Sequence, residues 1–146
     1  MISDAVLFAT KAHEGQVRKY TGEDYVEHPV EVASMLRKYF DFPEEVLVAG
    51  SIAAILHDTV EDTEATYGDI IAEFGETVAS YVWFMTKPEG FVGNRKLRKS
   101  LDISRLREAP PIVKAIKLCD LMHNSLSIEQ YDPQFWKTFK AESFEL

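Results

Sequence analysis

Residues 44–58 read EEVLVAGSIAAILHD, and their reading decides the fold. From Val46 to Leu56 the apolar residues run nearly all the way round a helical wheel, with Gly50 and Ser51 as small interruptions. A helix that is apolar on every side has to be enclosed by other elements, so this one is expected at the centre of the molecule. Two polar residues, His57 and Asp58, then end it.

Working outward, Asp41-Phe42-Pro43 separates this helix from a preceding one, which Pro29 opens and in which Val32, Ala33, Leu36 and Tyr39 or Phe40 form an apolar stripe. Residues 3–14 suit a first helix, with Ser3 as N-cap and Gly15 as stop, followed by a polar loop from Gln16 to Glu27. Beyond the central segment, Thr66 with Asp69 reads as a capped helix start. Gly75 closes that short helix and another runs over 76–86, after which Lys87–Gly93 reads as a loop. Asn94 caps a helix from Arg95 to about Arg107, and Pro110-Pro111 opens one rich in Ile112, Val113, Ile116, Leu118 and Met122. Asp132-Pro133 begins the last, whose Phe135, Trp136 and Phe139 face is expected to dock on the rest. The sum is an all-α bundle of about eight helices. The best strand candidate, Tyr25–Val32, is interrupted by Pro29 and has no partner run.

The chain has 146 residues, which suits one domain over 1–146, and its 46% hydrophobic and 27% charged residues are the balance of a globular protein. A net charge of −8 argues against a nucleic-acid partner, whose phosphates are gripped by clustered Lys and Arg. Positive charge is nonetheless concentrated at Arg18-Lys19 and at Arg95, Lys96, Arg98 and Lys99, enough to meet a small anion. No apolar run approaches the ~20 residues of a membrane span, and the N-terminus lacks a signal-peptide pattern. A cytoplasmic protein with no membrane partner is expected; oligomeric state is left open. Cys119 lies in an apolar stretch and reads as a small buried side chain.

The chemistry lies in polar residues set among apolar ones. Asp120 falls inside an apolar helix, where an ionised carboxylate must be paired, hydrogen-bonded or bound to a cation. His57-Asp58 poses the same question at the end of the greasiest helix. With His28 these make two imidazoles and two carboxylates, a mixed N/O set that suits Mn²⁺, Fe²⁺ or Zn²⁺ better than Mg²⁺. A metal so held can polarise a phosphoryl oxygen and lower the pKa of water. Glu61 and Asp62 follow closely enough to orient or deprotonate that water, although spacing alone reads them equally well as an acidic loop capping a helix.

Three ordered stretches, AHEGQVRKYTGEDYVEHPVEVA (12–33), AAILHDTVEDT (53–63) and KLCDLMHNS (117–125), resemble the hydrolase domain of the RelA/SpoT family and its small single-domain relatives, over residues 5–127. That family belongs to the HD superfamily and removes the 3′-pyrophosphate of guanosine tetra- and pentaphosphate, typically with Mn²⁺. The resemblance implies a helical HD domain in which His28, His57, Asp58 and Asp120 hold the metal and Glu61 and Asp62 activate the attacking water. It also implies that Arg18 and Lys19 meet the guanine base and phosphate, and that Asn124 and Ser127 line the ribose and 5′-phosphate side. Tyr25 and His13 match motif positions, His13 more as scaffold. Leu121 stands where relatives carry Lys or Arg, and Asp24 where they carry Pro. A hydrolase-only protein acting on a small-molecule nucleotide is expected. The alternatives are the same chemistry on another nucleotide, such as the 2′-phosphate of NADPH, and an idle module that binds a nucleotide or a protein.

Overall fold

The structure is a computed structural model that describes residues 1–87 and 93–144, with side chains through residue 141; most of the Lys87–Gly93 segment read as a loop lies outside the described residues. Among the described residues there are nine helices: α1 (Ile2–Ala12), α2 (Glu27–Tyr39), α3 (Glu44–Leu56), α4 (Thr59–Asp62), α5 (Tyr67–Phe74), α6 (Glu76–Met85), α7 (Arg95–Arg107), α8 (Pro111–Tyr131) and α9 (Pro133–Phe144). The all-α reading is borne out, and Tyr25–Val32 is not a strand, because its second half forms the first turns of α2.

The enclosed helix is α3. Every residue from Gly50 to Leu56 is buried, and α1, α2, α6 and α8 pack around it. The close approach is made possible at Gly50: a Cβ there would lie 2.7 Å from Ile112 Cγ1 on α8 and 3.3 Å from Leu36 Cδ2 on α2. Apolar burial about this axis supplies the main drive for folding. Among the described residues no helix is long and apolar enough to cross a membrane.

The punctuation residues act through identifiable bonds. Thr66 and Asp69 form a reciprocal capping box, with Asp69 N–H donating to Thr66 Oγ1 at 3.2 Å and Thr66 N–H to Asp69 Oδ2 at 2.9 Å. Asn94 Oδ1 accepts from Leu97 N–H at 2.9 Å. Gly75, at φ 93°, turns α5 into α6 in a region that disfavours side chains. Ser3 is not the N-cap expected of it. The first helix already starts at Ile2, with Met1 as its cap, so Ser3 lies within the first turn. The polar loop before α2 folds back on itself: Val17 and Asp24 form an isolated antiparallel bridge, Arg18 N–H donates to Glu23 O at 2.7 Å, and Gly22 takes φ 75°.

Cys119 is fully buried, and burial pushes its thiol up to about 11, which leaves it a packing group rather than a nucleophile. Ile55, 1% exposed in α3, has no room to relax if truncated. Ile55→Ala is expected to cost about 2–5 kcal/mol in urea unfolding, whereas Thr66→Ala, which removes one cap, is expected to cost about 1 kcal/mol.

Candidate active site

The site is assembled from helix ends and one helix interior. His28 is the second residue of α2, followed by Pro29, whose fixed φ suits a first turn and whose missing N–H is not needed there. His57 caps the C-terminus of α3 and Asp58 the N-terminus of α4. The last carbonyls of α3 would be orphaned at a buried end, and the chain supplies their partners from the same motif. His57 Nδ1 lies 2.6 Å from Ala54 O and Thr59 Oγ1 donates to Leu56 O at 2.8 Å. The ring of His57 is thereby locked with Nε2 facing inward.

Asp120 comes from the middle of α8, and its carboxylate, 9% exposed, is met from four directions. His28 Nε2 lies 2.8 Å and His57 Nε2 3.3 Å from Oδ1, Asn124 Nδ2 donates to Oδ1 at 3.2 Å, and Lys117 Nζ donates to Oδ2 at 3.1 Å. Burial alone would raise the Asp120 carboxyl; the Lys117 ammonium and then the two imidazoles overcome that and hold it well below the usual carboxylate range. Asp58 is held at about 2 in the same sense, burial being outweighed by His57 and helped by the Tyr25 hydroxyl, which donates to Asp58 Oδ2 at 2.5 Å.

Ligand atoms of His28, His57 and Asp120 all lie within 4.8 Å of one another, and so, as a second group, do those of Asp58, Glu61 and Asp62. The groups meet at His57 Nε2, 3.0 Å from Asp58 Oδ2. This nitrogen is buried and makes no well-directed hydrogen bond, although two carboxylates face it. With Nδ1 committed to Ala54 O, a neutral His57 turns a bare lone pair towards anionic oxygens. A divalent cation relieves that repulsion, so the donor set fits a metal. Without one, burial lowers the affinity of His57 for a proton, but Asp58 and Asp120 outweigh it and hold the imidazolium well above its usual pKa.

Glu61 and Asp62 sit on α4, a four-residue helix where sequence reading left a loop. Lys87 holds Glu61, Nζ to Oε1 at 3.6 Å, and burial followed by the charges of Asp58 and Glu61 raises the Asp62 carboxyl above the ordinary range of an aspartate. A cleft of about 250 Å³ is lined by His57, Asp58, Glu61, Asp62, Asp120, Asn124 and Tyr25, with Lys87, Lys99 and Lys117 among its other lining residues. Leu121 lines it too, and Lys117, one turn earlier on α8, supplies a cation beside Asp120.

The expected substrate contacts divide. Arg18 and Ser127 line a shallower neighbouring cleft with His123, Thr21 and Tyr131. Asn124 stands between the two clefts, its Oδ1 accepting from Arg18 NH1 at 3.1 Å while its amide holds Asp120. Tyr25 is a partner of Asp58. Lys19 lines neither cleft, and its ammonium lies over the ring of Tyr20, 5.3 Å from the centroid. His13 packs at a tilt against Tyr25, 4.7 Å between centroids, with its Nδ1 3.0 Å from Gln16 Oε1. Sequence reasoning missed Lys117 and His123, although both fall within the third motif; the i,i+3 spacing of Lys117 to Asp120 on one helix could have found the first, whereas His123 is given work only by His28 across the bundle.

A helical bundle that closes imidazoles and carboxylates over a phosphate-sized cleft defines a member of the HD class. The HD-domain family model matches residues 5–146, and the chain belongs to that family. Human guanosine-3′,5′-bis(diphosphate) 3′-pyrophosphohydrolase MESH1 is 30% identical over 142 residues, covering 97% of this chain and 76% of the human protein. The bifunctional (p)ppGpp synthase/hydrolase SpoT of Escherichia coli (strain K12) is 34% identical over 99% of this chain, which spans only 20% of SpoT. Among solved structures, one described as a metazoan ortholog of SpoT that hydrolyzes ppGpp superposes with a TM-score of 0.83 at 26% identity, covering 99% of this chain and 82% of that one. A Listeria monocytogenes EGD-e protein superposes at 0.62 and 38% identity over 80% of this chain and 70% of its own.

The bond from Tyr25 to Asp58 can be tested alone. Tyr25→Phe keeps the ring and removes the donor to a buried carboxylate, and is expected to cost about 1.5–3 kcal/mol in urea denaturation of the metal-free protein.

Proposed function

We propose that the chain is a metal-dependent phosphohydrolase that removes the 3′-pyrophosphate of guanosine tetra- and pentaphosphate, yielding GDP or GTP and pyrophosphate. The observation that carries this reading is the convergence of His57, Asp58, Glu61, Asp62 and Asp120 on one cleft, with His28 set against His57 and Asp120 behind its wall. The names of the relatives support the choice of substrate.

His28, His57, Asp58 and Asp120 would hold the metal, Mn²⁺ being the favoured ion for a mixed N/O set among first-row metals that also bind phosphate oxygens. Bound there, the ion supplies Lewis acidity towards a phosphoryl oxygen and makes a water easier to deprotonate. The remaining work falls to side chains. Asp62, with its carboxyl raised, takes the proton of the attacking water, and Glu61, braced by Lys87, orients that water towards the phosphorus on the 3′ oxygen. The water oxygen bonds to phosphorus, the bond from phosphorus to the 3′ oxygen breaks, the 3′ oxygen takes up a proton from solvent to leave as a hydroxyl, and pyrophosphate is released. Lys117 and the other lysines of the cleft offset the charge of the pyrophosphate. Arg18 offers a planar cation to a purine face or a phosphate, with Lys19 nearby in sequence, and Asn124, Ser127 and Tyr25 complete the wall.

A second reading, hydrolysis of another phosphorylated nucleotide such as NADPH, is favoured by Leu121, an apolar side chain in the cleft where relatives carry a cation. The test is direct: purified protein with Mn²⁺ and guanosine tetraphosphate should release pyrophosphate and GDP, and a panel including NADPH should show slower turnover. Absence of pyrophosphate from protein that demonstrably holds metal rules the reading out. Asp58→Ala should lose bound metal and activity together, whereas Glu61→Ala should keep the metal and lose roughly 10²–10⁴-fold in kcat.

A further inference from the structure

His123 is the one histidine of four to which neither the motif reading nor the proposed reaction gives a role. It lies on α8 three residues beyond Asp120, partly buried, with its ring meeting that of His28 edge to edge, the centroids 5.0 Å apart and the planes inclined by only 28°. The two Nδ1 atoms are 2.7 Å apart, a distance that two ring nitrogens hold only by sharing a proton between them.

That contact decides which nitrogen of His28 is available inside the site. Nε2 of His28 points at Asp120 Oδ1, 2.8 Å away, on the side where His57 Nε2 also points. To offer a lone pair there, a neutral His28 must carry its ring proton on Nδ1, and the partner of that Nδ1 is His123. His57 has its Nδ1 committed in the corresponding way, but to the backbone carbonyl of Ala54, which accepts and never donates. His28 depends on a side chain instead. The next residue, Asn124, does the same for the third ligand, donating to Asp120 Oδ1.

We propose that His123 is a positioning residue for the metal centre: its Nδ1 accepts the Nδ1–H of His28, holds that ring in plane with the site and keeps Nε2 of His28 free to bind a divalent cation. The inference rests on the proposed metal site, though not on the identity of the nucleotide. In this state His123 carries its own proton on Nε2. Because His123 also lines the shallow cleft with Arg18, Thr21, Glu23 and Ser127, a single ring spans the partition between the candidate metal ligands and that cleft.

The experiment compares wild type, His123→Leu and His123→Gln by chelator-competition measurement of Zn²⁺ and Mn²⁺ affinity, with helicity and Tm recorded on each. Leu removes the acceptor; Gln restores one through its side-chain carbonyl. Metal affinity should fall roughly 10–100-fold in the Leu variant and return to within about threefold of wild type in the Gln variant, the scale expected when a partner of a ligating histidine is lost. A Leu variant that folds like wild type and binds metal equally well overturns the proposal. The nitrogen-15 imidazole spectrum of the zinc-loaded wild type tests it without any substitution: His28 should be protonated at Nδ1 and His123 at Nε2, and a His28 bare at Nδ1 overturns it. Wild-type protein that binds metal yet releases no pyrophosphate defeats the hydrolase reading while leaving the role of His123 standing. The converse, active enzyme whose Leu variant keeps full affinity, defeats only the role of His123.

Discussion

Asp120 sits inside α8, where a carboxylate without partners would cost several kcal/mol, and much of the surrounding structure answers that cost. Lys117 reaches it from the preceding turn, Asn124 from the following one, and His28 and His57 from the ends of two other helices. The carboxylate therefore ties α2, α3 and α8 to one point. Removing Lys117 would take away the largest opposing charge and removing Asn124 or either imidazole a hydrogen-bond partner, which is why the cluster holds together as a unit rather than as separate pairs.

The residues around that point are placed by the way helices stop. α3 is enclosed on all sides, so its C-terminus falls inside the protein, where carbonyls must find donors. His57 and Thr59 provide them, and in doing so His57 is left with Nε2 towards two carboxylates. The unpartnered nitrogen is the local cost of a finished helix end and the reason the cluster suits a cation. α4 then turns Glu61 and Asp62 back over the cleft within a single helical turn. The cleft is lined by Asp58, Glu61, Asp62, Asp102 and Asp120 as well as by Lys87, Lys99 and Lys117, so the lysines supply only part of the positive charge a phosphorylated ligand would need and a divalent cation would have to supply the rest.

Most helices were legible in the sequence because their ends carry residues with one strong use: the Thr66–Asp69 box, the Asn94 cap, Pro29 and Pro110-Pro111 at helix starts, and Gly75 at positive φ. Ser3 misled for the same reason, since a serine inside the first turn offers the same side chain as one at the cap, and only the backbone decides which residue is last outside the helix. Four residues at Thr59–Asp62 are too few for periodicity to register, so α4 was unreadable. Among site residues, the candidate metal ligands stood out because polar groups in apolar runs demand an explanation. Tyr25 and Asn124 were legible as site positions but with different partners: Tyr25 meets Asp58, and Asn124 joins Arg18 to Asp120.

The sequence by itself determined that the chain would be helical, that α3 would be its axis, and that His28, His57, Asp58 and Asp120 needed one another or a cation. These follow from local propensity and from the cost of burying charge, both of which are properties of residue type and spacing. Only the tertiary structure decided the partners. The ring of His123 against that of His28, Arg18 against Asn124, and Tyr25 against Asp58 depend on side chains that meet across 95, 106 and 33 residues of chain, and distances of that kind are set by how helices pack.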